Sequence, residues 1–261
     1  MTRVLSGVVL LAFAIAVVWL SPAPVFFVVA ELLLVLGCVE YAALARSGGL
    51  PVPAIPACAA AVLTCAAIAG GFPGPIDAVL MTAFVALCAL TLTVWNGGRD
   101  ALGLAAASVF PSLYLGLPLG AMVVIRETRG PDALFLLMLT VVVSDTAQYY
   151  SGRAFGHRAL APKVSPKKTV EGAAGGLVAG TIALVVAGAW WLPGVPILLR
   201  VMLGVTIVLL GITGDLFESM LKRSAGTKDS SSLIPGHGGI LDRIDALLFA
   251  APVYYVVLKY V

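Results

Sequence analysis

Residues 196–218 read Pro196-Ile-Leu-Leu-Arg200-Val-Met-Leu-Gly-Val-Thr-Ile-Val-Leu-Leu-Gly211-Ile-Thr-Gly214-Asp215-Leu-Phe-Glu218, an apolar run that ends on acids. As a helix it is long enough to cross a hydrocarbon core of about 30 Å. Eight further apolar segments accompany it, at about 4–20, 24–44, 54–70, 77–95, 102–125, 133–150, 173–192 and 244–260. Of the 261 residues 61% are hydrophobic and 11% charged, and the mean hydropathy is +1.06. A soluble domain carries about 25% charged residues. This balance excludes a soluble globule, a disordered chain and a secreted disulfide scaffold. The runs are continuous rather than alternating, which excludes an outer-membrane barrel. The expected fold is an all-α polytopic membrane protein of about nine transmembrane helices.

The first segment has one charge before it and a poor cleavage site in Ser21-Pro-Ala-Pro24, so it reads as an uncleaved span. With a cytoplasmic N-terminus, nine spans put the C-terminus outside. Twelve basic residues then fall inside (Arg3, Arg46, Arg99, Arg153, Arg158, Lys163, Lys167, Lys168, Lys222, Arg223, Lys228, Arg243) and four outside (Arg126, Arg129, Arg200, Lys259). That asymmetry fixes the expected orientation. Pro111, Gly116, Pro118 and Gly120 mark the fifth segment as kinked or broken. The four cysteines lie inside apolar runs without metal-ligand spacing and read as small buried hydrophobes. The chain reads as one membrane domain over 1–261, with an N-terminal transmembrane part (1–130) and a part carrying the chemistry (131–261).

Beyond Asp215 the chain continues Ser219-Met-Leu-Lys222-Arg223-Ser-Ala-Gly-Thr-Lys228-Asp229, and then Gly236-His237-Gly238-Gly239-Ile-Leu-Asp242-Arg243-Ile-Asp245. If the helix runs on, Asp215, Ser219 and Lys222 form one stripe at i, i+4 and i+7. Asp242 and Asp245 open the next helix at i and i+3. A Gly/Ser-rich loop between them can bring backbone N–H groups to an anion. Carboxylates of this kind suit a hard divalent cation such as Mg²⁺, and the basic residues suit phosphates. A solvated charge run would form a block, whereas here acids and bases interleave with glycine and proline. An ionisable residue directly after an apolar run is itself a functional candidate.

A second polar stretch runs Ser144-Asp145-Thr146, then Ser165-Pro166-Lys167-Lys168-Thr169-Val-Glu171-Gly172. Asp145 lies inside the sixth segment and wants a cation or a donor. Lys167 and Lys168 read either as an anchor for anionic headgroups or as a pair closing over a shared phosphate site. Glu31 and Glu40, in the second segment, read as structurally paired acids rather than catalytic ones.

The run Ser219-x-x-Lys222-Arg223-x4-Lys228-Asp229-x7-His237-Gly238-Gly239-x-x-Asp242-Arg243-x-Asp245 resembles the signature of phosphatidate cytidylyltransferases, the CDP-diacylglycerol synthases. The stretches at 144–146 and 165–172 resemble the same family's other polar motifs, so about half the chain carries the likeness. The resemblance implies the reaction of CTP with phosphatidate to give CDP-diacylglycerol and pyrophosphate, in a multi-pass protein of the cell (inner) membrane with its site at the cytoplasmic face. It implies Asp215, Ser219, Lys222, Asp242 and Asp245 as the catalytic set, with Asp215 and Asp242 as metal ligands. Asp145, Lys167, Lys168, Arg223, Lys228, Asp229, His237, Gly238, Gly239 and Arg243 become substrate contacts. The implied cofactor is Mg²⁺, with a second cation left open. The implied partners are CTP, phosphatidate and membrane lipids, without nucleic acid, and a homodimer is left open. A CTP-using relative acting on another lipid, such as a polyprenol kinase or an archaeal-lipid cytidylyltransferase, is the alternative. A secondary transporter would place polar residues near the midplane of both halves, which this sequence does not do.

Overall fold

The structure, a computed structural model, describes residues 2–231 and 238–261, with side chains at residue 7 and from residue 11 onward. Each of the nine apolar segments forms helix, as a backbone without water around it requires. The order is α1 (Thr2–Leu20), α2 (Ala23–Ser47), α3 (Ala54–Ile68), α4 (Ile76–Val94), α5 (Ala101–Pro111), α6 (Leu117–Arg129), α7 (Pro131–Phe155), α8 (Val170–Trp191), α9 (Ile197–Ser224) and α10 (Leu241–Tyr260). Six of these stretches are long and apolar enough to cross a membrane: Ala23–Ser47, Ile76–Val94, Ala101–Arg129, Pro131–Phe155, Val170–Trp191 and Ile197–Ser224. Leu11–Leu20 and Ala54–Ile68 are apolar but shorter. Helix α10 carries Asp242, Arg243, Asp245 and Lys259 together with Pro252, which dilute its apolar character.

The fifth segment is interrupted where expected. Pro111 brings no N–H to the helical ladder, and residues Ser112–Gly116 follow as a π-helical turn that joins α5 to α6. Gly130, at φ 86°, makes the turn from α6 into α7 in a left-handed conformation open to glycine. The all-α expectation has one small exception. Ala159–Ala161 (β1) and Ser165–Thr169 (β2) pair as an antiparallel hairpin between α7 and α8, with Ala159 opposite Thr169 and Ala161 opposite Ser165.

The chain forms two compact units. The first runs to Val124 and also takes in Leu221–Arg243. Small residues dominate its packing: Ala57 and Ala60 of α3 meet Leu87 of α4, with Ala83 and Val109 alongside. A Cβ at Gly116 would come within 2.7 Å of the Ala61 carbonyl oxygen, so the π turn lies directly on α3. Tyr41 donates to the Ala107 carbonyl at 2.9 Å, and Phe110 stacks between Tyr41 and Tyr114 at 5.7 and 4.9 Å. The cysteines are unpaired, Cys38 and Cys65 buried and Cys58 and Cys88 partly so.

The second unit comprises Ile125–Met220 and Ile244–Val261. Its helices α7 and α8 cross closely because α8 buries Gly172, Gly176 and Gly180 at four-residue spacing, with Leu184 and Gly188 continuing the same row. Added Cβ atoms at Gly172 and Gly176 would sit 2.8 and 2.9 Å from the carbonyl oxygens of Gln148 and Ser144. Tyr254 of α10 donates to the Ala133 carbonyl at 3.0 Å, and Arg129 donates to the Leu258 carbonyl. Gly176→Leu is therefore expected to lower stability by about 1–3 kcal/mol through overpacking. Thermal unfolding in detergent checks it; an unchanged midpoint would show that α7 and α8 do not need this approach.

Candidate functional site

The helices outrun their apolar segments, and these polar extensions carry the acids. Helix α7 continues to Phe155 and α9 to Ser224. Asp215, Ser219 and Lys222 are consequently on one continuous helix, and Asp242 and Asp245 stand in the first two turns of α10. Two polar groupings result, one in each compact unit.

In the second unit Asp215 forms an ion pair with Lys168 of β2, their side chains 30% and 23% exposed. Ser219, one turn along α9, reaches Asp215 Oδ1 at 3.5 Å. Asp145 of α7 and Asp245 of α10 both lie within electrostatic reach of Asp215, and buried Glu218 lies within reach of Asp245. Gln148 donates to Asp145 Oδ1 at 2.9 Å and to Ser144 Oγ at 3.2 Å. A Cβ at Gly214 would come within 2.5 Å of the Asp245 carbonyl oxygen, so glycine lets α10 approach α9 beside Asp215. Lys168 is an ammonium paired with this cluster of carboxylates, through Asp215.

The hairpin delivers Lys168 by a local route. Thr169 caps α8, its Oγ1 accepting the Gly172 N–H at 3.1 Å. Glu171 in the first turn accepts the His157 and Arg158 N–H groups at 3.0 and 3.2 Å, which closes the base of the hairpin. Successive strand residues point to opposite faces. Lys168 is accordingly half-buried on Asp215 while Lys167 is exposed. The two lysines thus differ in exposure, and it is Lys168 that meets Asp215.

In the first unit Lys222 forms an ion pair with Asp242, each side chain 10% exposed. Asp242 Oδ1 takes the ammonium, and Oδ2 accepts the Gly239 N–H at 2.8 Å and the Ser230 N–H at 3.1 Å, with Ser230 Oγ at 2.8 Å. Gly238, at φ 76°, turns the chain into this arrangement; a Cβ there would come 2.6 Å from Asp242 Oδ2. A Cβ on Gly239 would overlap Ser230 Oγ and the Glu40 carboxylate. Arg223 donates to the Thr227 carbonyl at 3.0 Å at the end of α9. Lys228, Asp229 and Arg243 are exposed. His237 lies outside the described residues.

A divalent ion fits the Asp215 grouping by charge and by donor chemistry, since carboxylate oxygens are the ligands Mg²⁺ takes. Among the described residues no three His, Cys, Asp or Glu side chains close on one point as a cage. Mg²⁺ is ordinarily held by one or two carboxylates with substrate phosphates, which Asp215 can supply. A cation on Asp242 would have to displace Lys222, as one on Asp215 would have to displace Lys168, and Asp242 is further held by the Gly239 and Ser230 N–H groups.

The sequence profile of the cytidylyltransferase family matches residues 1–261. The chain belongs to that family. Among curated relatives, phosphatidate cytidylyltransferase of Mycobacterium tuberculosis is 41% identical over 154 residues, 58% of this chain and 46% of that protein. The phosphatidate cytidylyltransferase of Brucella suis is 40% identical over 182 residues, covering 66% and 62%. A third relative, the uncharacterized protein YnbB of Escherichia coli, is 46% identical over 127 residues, covering 49% and 42%. The matched region spans about half the length of these relatives. The motifs that cytidylyltransferase resemblance singled out thus divide between two groupings. Gln148 and Ser230 join them as neighbours that residue type alone does not mark, and Glu40, read from the sequence as a structurally paired acid, joins the Asp242 grouping.

Burial alone would raise the Asp242 carboxyl, but Lys222, the Gly239 N–H and Ser230 outweigh it and hold Asp242 below the ordinary carboxylate range. A group with a depressed folded value stabilises above its unfolded value, about 3.9 for aspartate, and loses that contribution as pH falls through the folded value. Melting midpoints should therefore drop below about pH 4 more steeply in the parent protein than in Asp242→Asn. Parallel curves would remove Asp242 as the acid-sensitive contact.

Proposed function

We propose that this cytidylyltransferase-family protein makes CDP-diacylglycerol from CTP and phosphatidate, releasing pyrophosphate. The observation that carries the reading is the Asp215 grouping: three carboxylates from α7, α9 and α10 with one ammonium brought in by the hairpin. Relatives named phosphatidate cytidylyltransferase support it. A phosphatidate phosphate oxygen attacks the α-phosphorus of CTP; that P–O bond forms as the bond to the β-phosphate breaks, and pyrophosphate leaves with the electron pair. The phosphate is already anionic near neutral pH, so no strong base is needed. The barrier is the approach of one anion to another. Mg²⁺, when bound, would neutralise triphosphate charge. Asp215 would hold it, with Asp145 and Asp245 supplying negative field. Lys168 would exchange Asp215 for a phosphate oxygen, and the exposed side chains of Lys228 and Arg243 would contact substrate phosphate.

The reading extends to topology. We propose nine spans, a cytoplasmic N-terminus and an external C-terminus in the inner membrane, with the reacting centre at the cytoplasmic face. Phosphatidate keeps its chains in the bilayer and offers its headgroup there, where CTP can reach it. The twelve-to-four distribution of basic residues supports this orientation. Reporter fusions should find residues 151–172 inside and the C-terminus outside; a cytoplasmic C-terminus would defeat the nine-span arrangement.

The decisive assay is turnover of labelled CTP with phosphatidate and Mg²⁺ in detergent micelles. Asp215→Asn should cost about 10²–10³-fold, the scale of a lost electrostatic contact in a reacting centre. Lys168→Gln should lose activity at low and high salt alike, because a pair inside a site is poorly screened. Lys167→Gln, on the exposed face, should stay close to the parent protein at high salt. Near-normal turnover in Asp215→Asn would remove the proposed centre.

A further inference from the structure

Glu40 lies on α2, in the half of the chain that carries no family motif, and is only 4% exposed. Its carboxylate is filled with donors. Oε1 accepts Ser231 Oγ at 2.7 Å and the Ile240 N–H at 2.9 Å. Oε2 accepts Ser230 Oγ at 2.9 Å and the Leu241 N–H at 2.9 Å. An ionised carboxylate offers about four lone-pair sites; three here have a donor of their own, and the fourth shares the single Ser230 hydroxyl proton with Asp242. Two of the donors come from Ser230 and Ser231 and two from Ile240 and Leu241, so one side chain ties both of these stretches to α2.

The same anchor points hold Asp242. Ser230 lies between the two acids, its Oγ 2.9 Å from Glu40 and 2.8 Å from Asp242. Gly239, packed against the Glu40 carboxylate, donates its N–H to Asp242 at 2.8 Å. Asp242 then holds Lys222. The connection runs from Glu40 through Ser230 and Gly239 to Asp242 and Lys222, all within one compact unit. Burying a carboxylate is costly unless it is fully hydrogen-bonded, and here the bonding is spent on one loop.

We propose that Glu40 is a positioning residue for cytidylyl transfer, fixing the loop that sets Asp242 and Lys222 without itself touching substrate. The inference rests on the function proposed above. It also explains the chemical type required at residue 40. Glutamine would present an NH₂ to two of the four donors, donor against donor. Aspartate keeps charge and acceptors but is one methylene short.

The test compares Glu40→Gln and Glu40→Asp in the full chain, in detergent micelles with phosphatidate, CTP and Mg²⁺. Per folded molecule, Glu40→Gln should lose about 100-fold in kcat, the scale of a misplaced group. KM for CTP should stay within about threefold, because uniform binding is not what Glu40 supplies. Glu40→Asp should recover part of the kcat loss. A purely structural role would lower the folded fraction and the melting midpoint and leave kcat per folded molecule near the parent value, which would overturn the proposal. Hydrogen exchange at the Ile240 and Leu241 amides is the second readout, and it does not need turnover. Faster exchange together with the kcat loss supports the proposal; parent-like exchange in a folded variant overturns it. Should Glu40→Gln not fold, Glu40→Asp carries both measurements. Absence of turnover in the parent protein would defeat the proposed reaction, while the exchange result would still decide whether Glu40 holds the loop.

Discussion

A carboxylate withdrawn from water must be met by donors or cations, and this constraint organises the polar half of the molecule. Each of the principal acids satisfies it differently. Glu40 takes hydrogen bonds from Ser231 and the Ile240 and Leu241 N–H groups, and shares the Ser230 hydroxyl proton with Asp242. Asp242 takes an ammonium and two backbone N–H groups. Asp215 takes Lys168 from a hairpin that reaches it across 47 residues of sequence. The hairpin, the left-handed glycine at 238 and the bare backbone at Gly239 are arrangements that bring donors to these acids. The apolar helices provide the frame, and the acids decide how the connecting segments fold against it.

The helical frame was legible because a membrane span announces itself by length and continuity. The nine apolar segments became helices, and Pro111 with its neighbouring glycines marked the π turn. Helix ends were less legible: α7 and α9 continue several residues past their apolar runs, because polar residues can extend a helix once it leaves hydrocarbon. The hairpin was not legible. Ser165–Thr169 is a strand with neither alternation nor β-branched apolar residues, and its pairing depends on Glu171 and Thr169 at the start of α8. Without it, Lys167 and Lys168 look like a pair; with it, they face opposite ways.

The site was legible where residue type carries chemistry and not where geometry does. Asp145, Asp215 and Asp245 stand out as acids bordering apolar sequence, and they do come within reach of one another. Glu40 also stands out as an acid in an apolar helix, and pairing was the right expectation for it. Its partners at Ser230, Ser231, Ile240 and Leu241 are 190 to 201 residues away, and nothing in a single sequence joins positions so far apart. The N-terminal half therefore looks generic when read alone, although α2 anchors the loop that carries the family signature.

The two lysine–aspartate pairs differ in a way that divides the signature by role. Lys222 and Asp242 are each 10% exposed, and Asp242 has donors on both oxygens. Opening that pair would strand an ammonium and an anion in a nearly dry place, a change that costs several kcal/mol in comparable buried pairs. Lys168 and Asp215 are 23% and 30% exposed, and Asp215 has Asp145 and Asp245 within electrostatic reach. There the ammonium is the more readily displaced, because both partners keep part of their contact with water. The first pair is suited to hold geometry and the second to exchange partners.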